Sequence, residues 1–177
     1  MHTTTEAVPT WLSAGAAEAW GWPTDSLDLT ALRHGPHELL VLATVDGVPT
    51  ALVRAMRPGR MSATALESEA AWIRALGQDA VVRVPLVLPT GSGAAVAPLA
   101  DPAGRSWPAL AVGFDPVLLG QHSPAVVDAE TTRGLGQLAA RLHEHELAWQ
   151  PPSWFRRPTI ELVDLVETAW QRAPLPS

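Results

Sequence analysis

Two apolar runs rich in β-branched residues lie on either side of the dipeptide Asp46-Gly47. The runs, Leu39–Val45 and Val48–Met56, each have the length of one β-strand. Asp-Gly is typical of a two-residue hairpin turn, because both positions of that turn need a positive φ and these two residues tolerate it. The pattern predicts an antiparallel hairpin, and we therefore expect a fold built on an antiparallel sheet.

The order of the other predicted elements indicates the α+β class. A helix over Thr64–Leu76 follows the hairpin, with Thr64 and Glu67 at the spacing of a capping box and Gly77 at the end. Three further strands are predicted over Val81–Leu88, Ala94–Leu99 and Ala109–Phe114. The remaining patterns are helical and cover residues 11–20, Ala129–Trp149 and Ile160–Trp170. We expect a five-stranded antiparallel sheet with one packed helix, followed by the first helices of an α-helical lobe.

These patterns divide the chain into three segments. Residues 1–26 form an N-terminal helical or irregular segment, residues 27–116 form the lobe that contains the sheet, and residues 117–177 begin a helical lobe.

The composition excludes several classes of function. The chain has no Lys, which a Walker-type phosphate loop and Schiff-base chemistry both need, and no Cys for disulfides or thiolate metal sites. A net charge of −6 argues against a nucleic-acid partner, because such binding depends on a basic surface. The sequence also shows neither a long apolar span nor a signal peptide, so we expect a cytoplasmic protein with no membrane partner.

Glu69 is the residue whose position points most clearly to a site. It falls inside the apolar stripe of the predicted Thr64–Leu76 helix, which also contains Leu66, Ala70, Ile73 and Leu76. A carboxylate in the interior needs a partner, and Arg54 on the second hairpin strand points to the same side as Leu52 and Met56. The sequence predicts an Arg54–Glu69 ion pair; alternatively, Glu69 lies at the edge of the stripe and is solvated.

Four segments together resemble a known family of kinases: Arg33-His34-Gly35, Ala51-Leu52-Val53-Arg54-Ala55-Met56-Arg57-Pro58, Glu67-Ser68-Glu69-Ala70-Ala71-Trp72-Ile73-Arg74-Ala75-Leu76 and Leu135-Gly136-Gln137-Leu138-Ala139-Ala140-Arg141-Leu142-His143. Over about residues 27–170 the chain resembles the N-terminal lobe of aminoglycoside-phosphotransferase-type small-molecule kinases. It is most similar to the bacterial subgroup with homoserine-kinase-like and RdoA-type enzymes.

The resemblance implies a set of nucleotide-binding residues. Arg54 would contact the phosphates of ATP, bound with magnesium, and Glu69 would hold Arg54 in place. The strand Ala109–Gly113, which contains Val112, would meet the adenine through its backbone.

The sequence departs from this family in two places. The turn expected to cover the phosphates reads Gly35-Pro36-His37-Glu38, in which Pro36 lacks a backbone donor and Glu38 would repel phosphate oxygens. The His-Gly-Asp-type loop is missing, and the sequence contains no Asn to hold magnesium. We therefore expect a truncated or split kinase that is inactive alone, and its partner would be either a second chain that supplies the helical lobe or another copy of itself. The competing interpretation is a non-catalytic binding protein that need not bind nucleotide.

Two other clusters have weaker signals. His143 and His145 are two residues apart on a helix, so they cannot chelate one metal; we expect His143 to pack beside Leu142 and His145 to be solvated. A basic patch of Arg54, Arg57 and Arg60 could receive phosphate or could belong to a solvated hairpin end.

Overall fold

The computed structural model describes residues 7–116 and 129–156. In chain order its elements are α1 (Thr10–Trp20), β1 (Leu27–His34), β2 (Glu38–Val45), β3 (Val48–Met56), α2 (Ala63–Gln78), β4 (Val96–Ala100), β5 (Ser106–Gly113) and α3 (Ala129–Ala148). The five strands form one sheet in the order β1-β2-β3-β5-β4, and each neighbouring pair is antiparallel. The predicted α+β class and five-stranded antiparallel sheet are confirmed. The helix predicted over Ile160–Trp170 lies outside the described residues.

The predicted hairpin is formed by β2 and β3. Asp46 and Gly47 both have a positive φ, at 51° and 76°, as the tight turn between twisted strands requires. β3 has the predicted bounds, and β2 begins one residue earlier than predicted, at Glu38. This extra residue places Glu38 in the ladder, opposite Met56.

One strand was predicted in the wrong place. Val81–Leu88 is not a strand: within it, only Val87 makes an isolated bridge, to Val112 of β5. β4 already pairs with β5 from Ser106 to Leu110. Residues 86–88 therefore form backbone hydrogen bonds only with the end of β5, at Ala111 and Gly113. The fifth strand is β1, whose half-exposed, mixed sequence and bulge near Ala31 weaken the alternation that indicates a strand.

The predicted capping box of α2 is also wrong. Ser62 is the N-cap, and its hydroxyl accepts a hydrogen bond from the Ala65 amide at 3.1 Å. The helix therefore begins before Thr64, and it continues through Gly77 to Gln78. A glycine in a helix costs only about 1 kcal/mol, which tertiary packing overcomes.

The two faces of the sheet pack against different helices. On the outer face, α1 residues such as Leu12 and Ala16 pack on Val41 and Val53. On the inner face, α2 places Leu66 and Ala70 against Met56, Val96 and Leu110. Because α2 packs on β4 and β5, the inner face of the other strands is less covered, and it presents half-buried Leu40, Leu42 and Leu52.

Most leucine side chains of α3 are exposed. Leu135 and Leu138 are 58% and 40% exposed, and α3's buried residue is His145. No helix in residues 7–116 or 129–156 is both long and apolar enough to cross a membrane.

Candidate functional site

Arg54 and Glu69 form the ion pair that the sequence predicts. Arg54 lies on the inner face of β3 between Leu40 and Leu110, and Glu69 comes from α2. Arg54 Nη2 donates to Glu69 Oε2 at 2.5 Å, and the two side chains are 26% and 32% exposed. Glu69 is therefore half-buried and paired, which is closer to the interior interpretation than to the solvated one.

A buried serine positions this part of α2. Ser68 Oγ donates to the Thr64 carbonyl and accepts from the Arg156 amide, both at 2.8 Å. The side chain is 1% exposed, so the segment after α3 is anchored to the helix turn that carries Glu69. Sequence reasoning gave Ser68 no role; the only signal was a polar residue next to Glu69 on a packed helix.

Glu38 places a second carboxylate beside Arg54. Glu38 and Leu40 are two residues apart on β2 and so point to the same face, and Leu40 lies opposite Arg54; Glu38 therefore shares the inner face with Arg54. Glu38 Oε2 lies 3.6 Å from Arg54 Nε, and Glu38 Oε1 pairs with Arg33 Nη2 on β1. The Glu38 side chain is only 14% exposed, so the two arginines screen it from solvent.

Arg54 has a buried hydrogen-bond donor that the described residues leave unused. Its Nε is buried and has no hydrogen-bond partner among them, because 3.6 Å to Glu38 is too long for a hydrogen bond. A buried unpaired donor on a cation is costly and suits an anionic oxygen. An anionic oxygen would satisfy this donor.

The turn between β1 and β2 is held by Arg57. Arg57 Nε donates to the Gly35 carbonyl at 3.0 Å, and its backbone amide donates to the His37 carbonyl at 2.8 Å. The guanidinium carbon lies 5.5 Å from the ring centre of Trp107, within the range of a cation–π contact. Arg57 and Arg54 therefore project to different environments and do not form a continuous basic patch.

Trp107 is itself fixed by a buried carboxylate. Asp101 Oδ2 accepts hydrogen bonds from the Trp107 indole at 3.1 Å and Arg105 Nε at 2.8 Å, and Oδ1 accepts from the Ala103 and Arg105 amides. Burial raises the pKa of Asp101, but the hydrogen bonds from Trp107, Arg105 and Ala103 together outweigh it and lower the pKa to about 2. The carboxylate that orients Trp107 is thus ionised at neutral pH.

Val112 lies within the sheet, with Leu52 paired on one side and Val87 bridged on the other. Its half-buried side chain packs against the inner-face cluster, near Leu110. With Leu40 and Leu42 it forms a half-buried apolar surface of the kind that suits a flat ring. The role predicted for Val112 in adenine binding stays a prediction.

The expectation for the two histidines of α3 was wrong. His145 is buried and lies 3.0 Å from Asp79 Oδ2 at the end of α2, whereas the His143 side chain is 78% exposed. The His145 ring stacks on Trp149, with centroids 6.0 Å apart. Residues two apart on a helix point in nearly opposite directions, so the helix face that packs against Asp79 contains His145 and leaves His143 on the exposed face. In the described ranges, no group of three or more ligating side chains could hold a metal ion.

The comparisons with known proteins agree with this architecture. The model of the phosphotransferase enzyme family matches residues 28–177, and the chain belongs to that family. The predicted resemblance to aminoglycoside-phosphotransferase-type kinases is confirmed. No curated protein matches the chain.

Two solved structures share the fold. The microcompartment-associated aminopropanol kinase has a TM-score of 0.69 and 24% identity, over 86% of this chain and 45% of that chain. The amicoumacin kinase hAmiN, in complex with AMP-PNP, Ca²⁺ and Ami, has a TM-score of 0.67 and 15% identity, over 96% of this chain and 55% of that chain. The chain thus spans about half the length of each kinase.

Proposed function

We propose that this chain binds ATP with magnesium on the inner face of its sheet, as the nucleotide lobe of a small-molecule phosphotransferase. The observation that carries the proposal is Arg54, which Glu69 holds on the inner face and whose buried Nε lacks a hydrogen-bond partner among the described residues. The nucleotide complex of the amicoumacin kinase supports the same use of the fold.

The charged pair and the apolar side chains of the inner face have different roles in this proposal. Arg54 contacts phosphate, and Glu69 fixes the guanidinium so that no ordering is needed when the ligand arrives. The half-buried side chains of Leu40, Leu52 and Val112 contact the adenine. ATP supplies the phosphoryl group, and magnesium neutralises charge on its phosphates.

Phosphoryl transfer needs groups that this sequence does not contain. A kinase of this type uses an Asp that orients the acceptor hydroxyl and an Asn that holds magnesium, and the chain has no Asn. We therefore propose that the chain does not turn over ATP alone and that a polypeptide segment of different sequence supplies the missing groups. ADP release by the purified chain above the background of Arg54→Gln would overturn this part of the proposal.

The second candidate function is a non-catalytic kinase-like binding protein. The position of Glu38 beside Arg54 favours it, since a carboxylate there opposes phosphate binding. The two functions differ in one observable, because only the first requires ATP to bind on the inner face.

The nucleotide test is a thermal-shift and calorimetric titration with Mg-ATP and with adenosine. A ligand at 100 times its dissociation constant stabilises the folded state by about 2.7 kcal/mol, which is readily measured. We expect ATP binding in the parent, and a loss of about tenfold or more in Arg54→Gln, because hydrogen bonds to charged groups contribute about 1.5–3 kcal/mol. Arg74→Gln is the matched control, since Arg74 is exposed on α2. The absence of any ATP-dependent shift in the parent would favour the binding-protein function.

A further inference from the structure

Four charged side chains form an alternating row across the inner face. Arg33 pairs with Glu38, Glu38 lies beside Arg54, and Arg54 pairs with Glu69. The row contains two guanidiniums and two carboxylates, so its net charge is zero. Polyphosphate binding is favoured by a net positive charge around Arg54. The negative charge of Glu38 cancels that net positive charge.

The geometry places Glu38 at the donor that phosphate would use. Arg54 Nη2 donates a hydrogen bond to Glu69. Glu38 Oε2 lies 3.6 Å from Arg54 Nε, which has no hydrogen-bond partner among the described residues. Nε and Nη2 lie on one edge of the guanidinium, the edge that binds oxyanions in a bidentate manner. A phosphate oxygen can reach Nε only when the Glu38 carboxylate moves aside.

Arg33 is a second cation that contacts the Glu38 carboxylate. It pairs with the second oxygen of Glu38 from β1, and its side chain is 63% exposed. An exposed arginine can follow Glu38 as it moves at little cost, since surface ion pairs contribute about 1 kcal/mol or less. Arg33 can therefore stay paired with Glu38 when Glu38 leaves Arg54, so the displaced carboxylate is not left without a cation.

We propose that Glu38 is an internal competitor of phosphate for Arg54, so that this carboxylate sets the affinity of the site for polyphosphate-bearing ligands. The inference deepens the proposed function and rests on it for the identity of the ligand. The competition itself concerns any polyphosphate, with or without an adenosine group.

The test titrates parent and Glu38→Gln with tripolyphosphate and, separately, with adenosine. Removing the carboxylate charge while keeping the side-chain shape should tighten tripolyphosphate binding about tenfold, since juxtaposed like charges cost more than 1 kcal/mol. Adenosine binding should not change, and the gain should vanish in the double variant Glu38→Gln/Arg54→Gln. Glu67→Gln, the same substitution on α2, is the control.

Arg33→Gln separates competition from a purely structural role. Both Arg33→Gln and Glu38→Gln break the same ion pair, so a structural role predicts the same direction of change. Competition predicts opposite directions: Arg33→Gln should weaken tripolyphosphate binding by up to about fivefold, and it should have no effect once Glu38 is Gln. If Glu38→Gln does not fold, Glu38→Ala, which also removes the carboxylate, replaces it in both comparisons.

Equal or weaker tripolyphosphate binding by a folded Glu38→Gln overturns the inference, as does an equal effect of Arg33→Gln in both backgrounds. Lack of adenosine binding in the parent contradicts the proposed nucleotide function alone. The tripolyphosphate titrations test the competition between Glu38 and phosphate whether or not adenosine binds.

Discussion

Arg57 lies one residue beyond the end of β3 and donates from Nε to the carbonyl of Gly35, at 3.0 Å, in the turn between β1 and β2. The strand that carries Arg54 is thereby tied to the turn that the family resemblance places over the phosphates. Trp107 supports the guanidinium from β5, and Asp101 holds Trp107.

Replacing Arg57 with Gln should loosen this turn without unfolding the sheet. The substitution removes a charged donor to Gly35 and the contact with Trp107, each on the order of 1 kcal/mol. We expect amide hydrogen exchange at Gly35, His37 and Glu38 to rise about tenfold, since 1.4 kcal/mol corresponds to a factor of ten. Arg60→Gln, at an exposed position of the following loop, is the control. Unchanged exchange at Gly35 would show that Arg57 does not hold the turn.

Asp101 should make the unfolding free energy of the lobe depend on pH in the acidic range. Its pKa is lowered from 3.8 to about 2 in the folded state, so the folded protein binds the proton less readily than the unfolded chain. The stabilisation is fully present above the unfolded pKa and is lost as the pH falls through the folded pKa. We expect the difference in unfolding free energy between the parent and Asp101→Asn to shrink over about three pH units, from about pH 5 to about pH 2, in urea titrations. The exposed Asp28→Asn serves as the control, and a difference that is constant with pH would contradict the assignment.

The contact between His145 and Asp79 should decide how α3 docks. His145 is buried against the end of α2 and stacks on Trp149, so His145→Ala removes both contacts. We expect faster hydrogen exchange in the last turns of α3 and α2, corresponding to about 1–2 kcal/mol. His143→Ala changes an exposed side chain of the same helix and should have no such effect. Equal effects of the two substitutions would indicate that helix propensity alone was altered.

The parts of the fold that could be predicted depend on local patterns. The β2–β3 hairpin follows from Asp46-Gly47, and the pairing of Arg54 with Glu69 follows from strand alternation and helix periodicity. Both signals lie within one or two adjacent elements. A half-buried carboxylate needs a cation nearby, and the strand alternation placed Arg54 on the side of the sheet that faces α2.

The parts that could not be predicted depend on which neighbours become available. Val81–Leu88 is apolar enough for a strand, but β4 takes most of the edge that it would need. Glu38 reaches Arg54 only because of the register of β2 against β3. The choice between His143 and His145 is made where α3 meets Asp79, and no pattern within α3 contains that information.

The most direct test of the account is a double-mutant cycle on Arg54 and Glu69 that measures the dissociation constant of Mg-ATP. If Glu69 acts by holding Arg54 on phosphate, Glu69→Gln should weaken ATP binding about tenfold in the parent and leave it unchanged in Arg54→Gln. Glu67→Gln provides the control on the same helix. Equal losses from Glu69→Gln in both backgrounds, or ATP binding indifferent to Arg54, would contradict the claim that this pair forms the phosphate site.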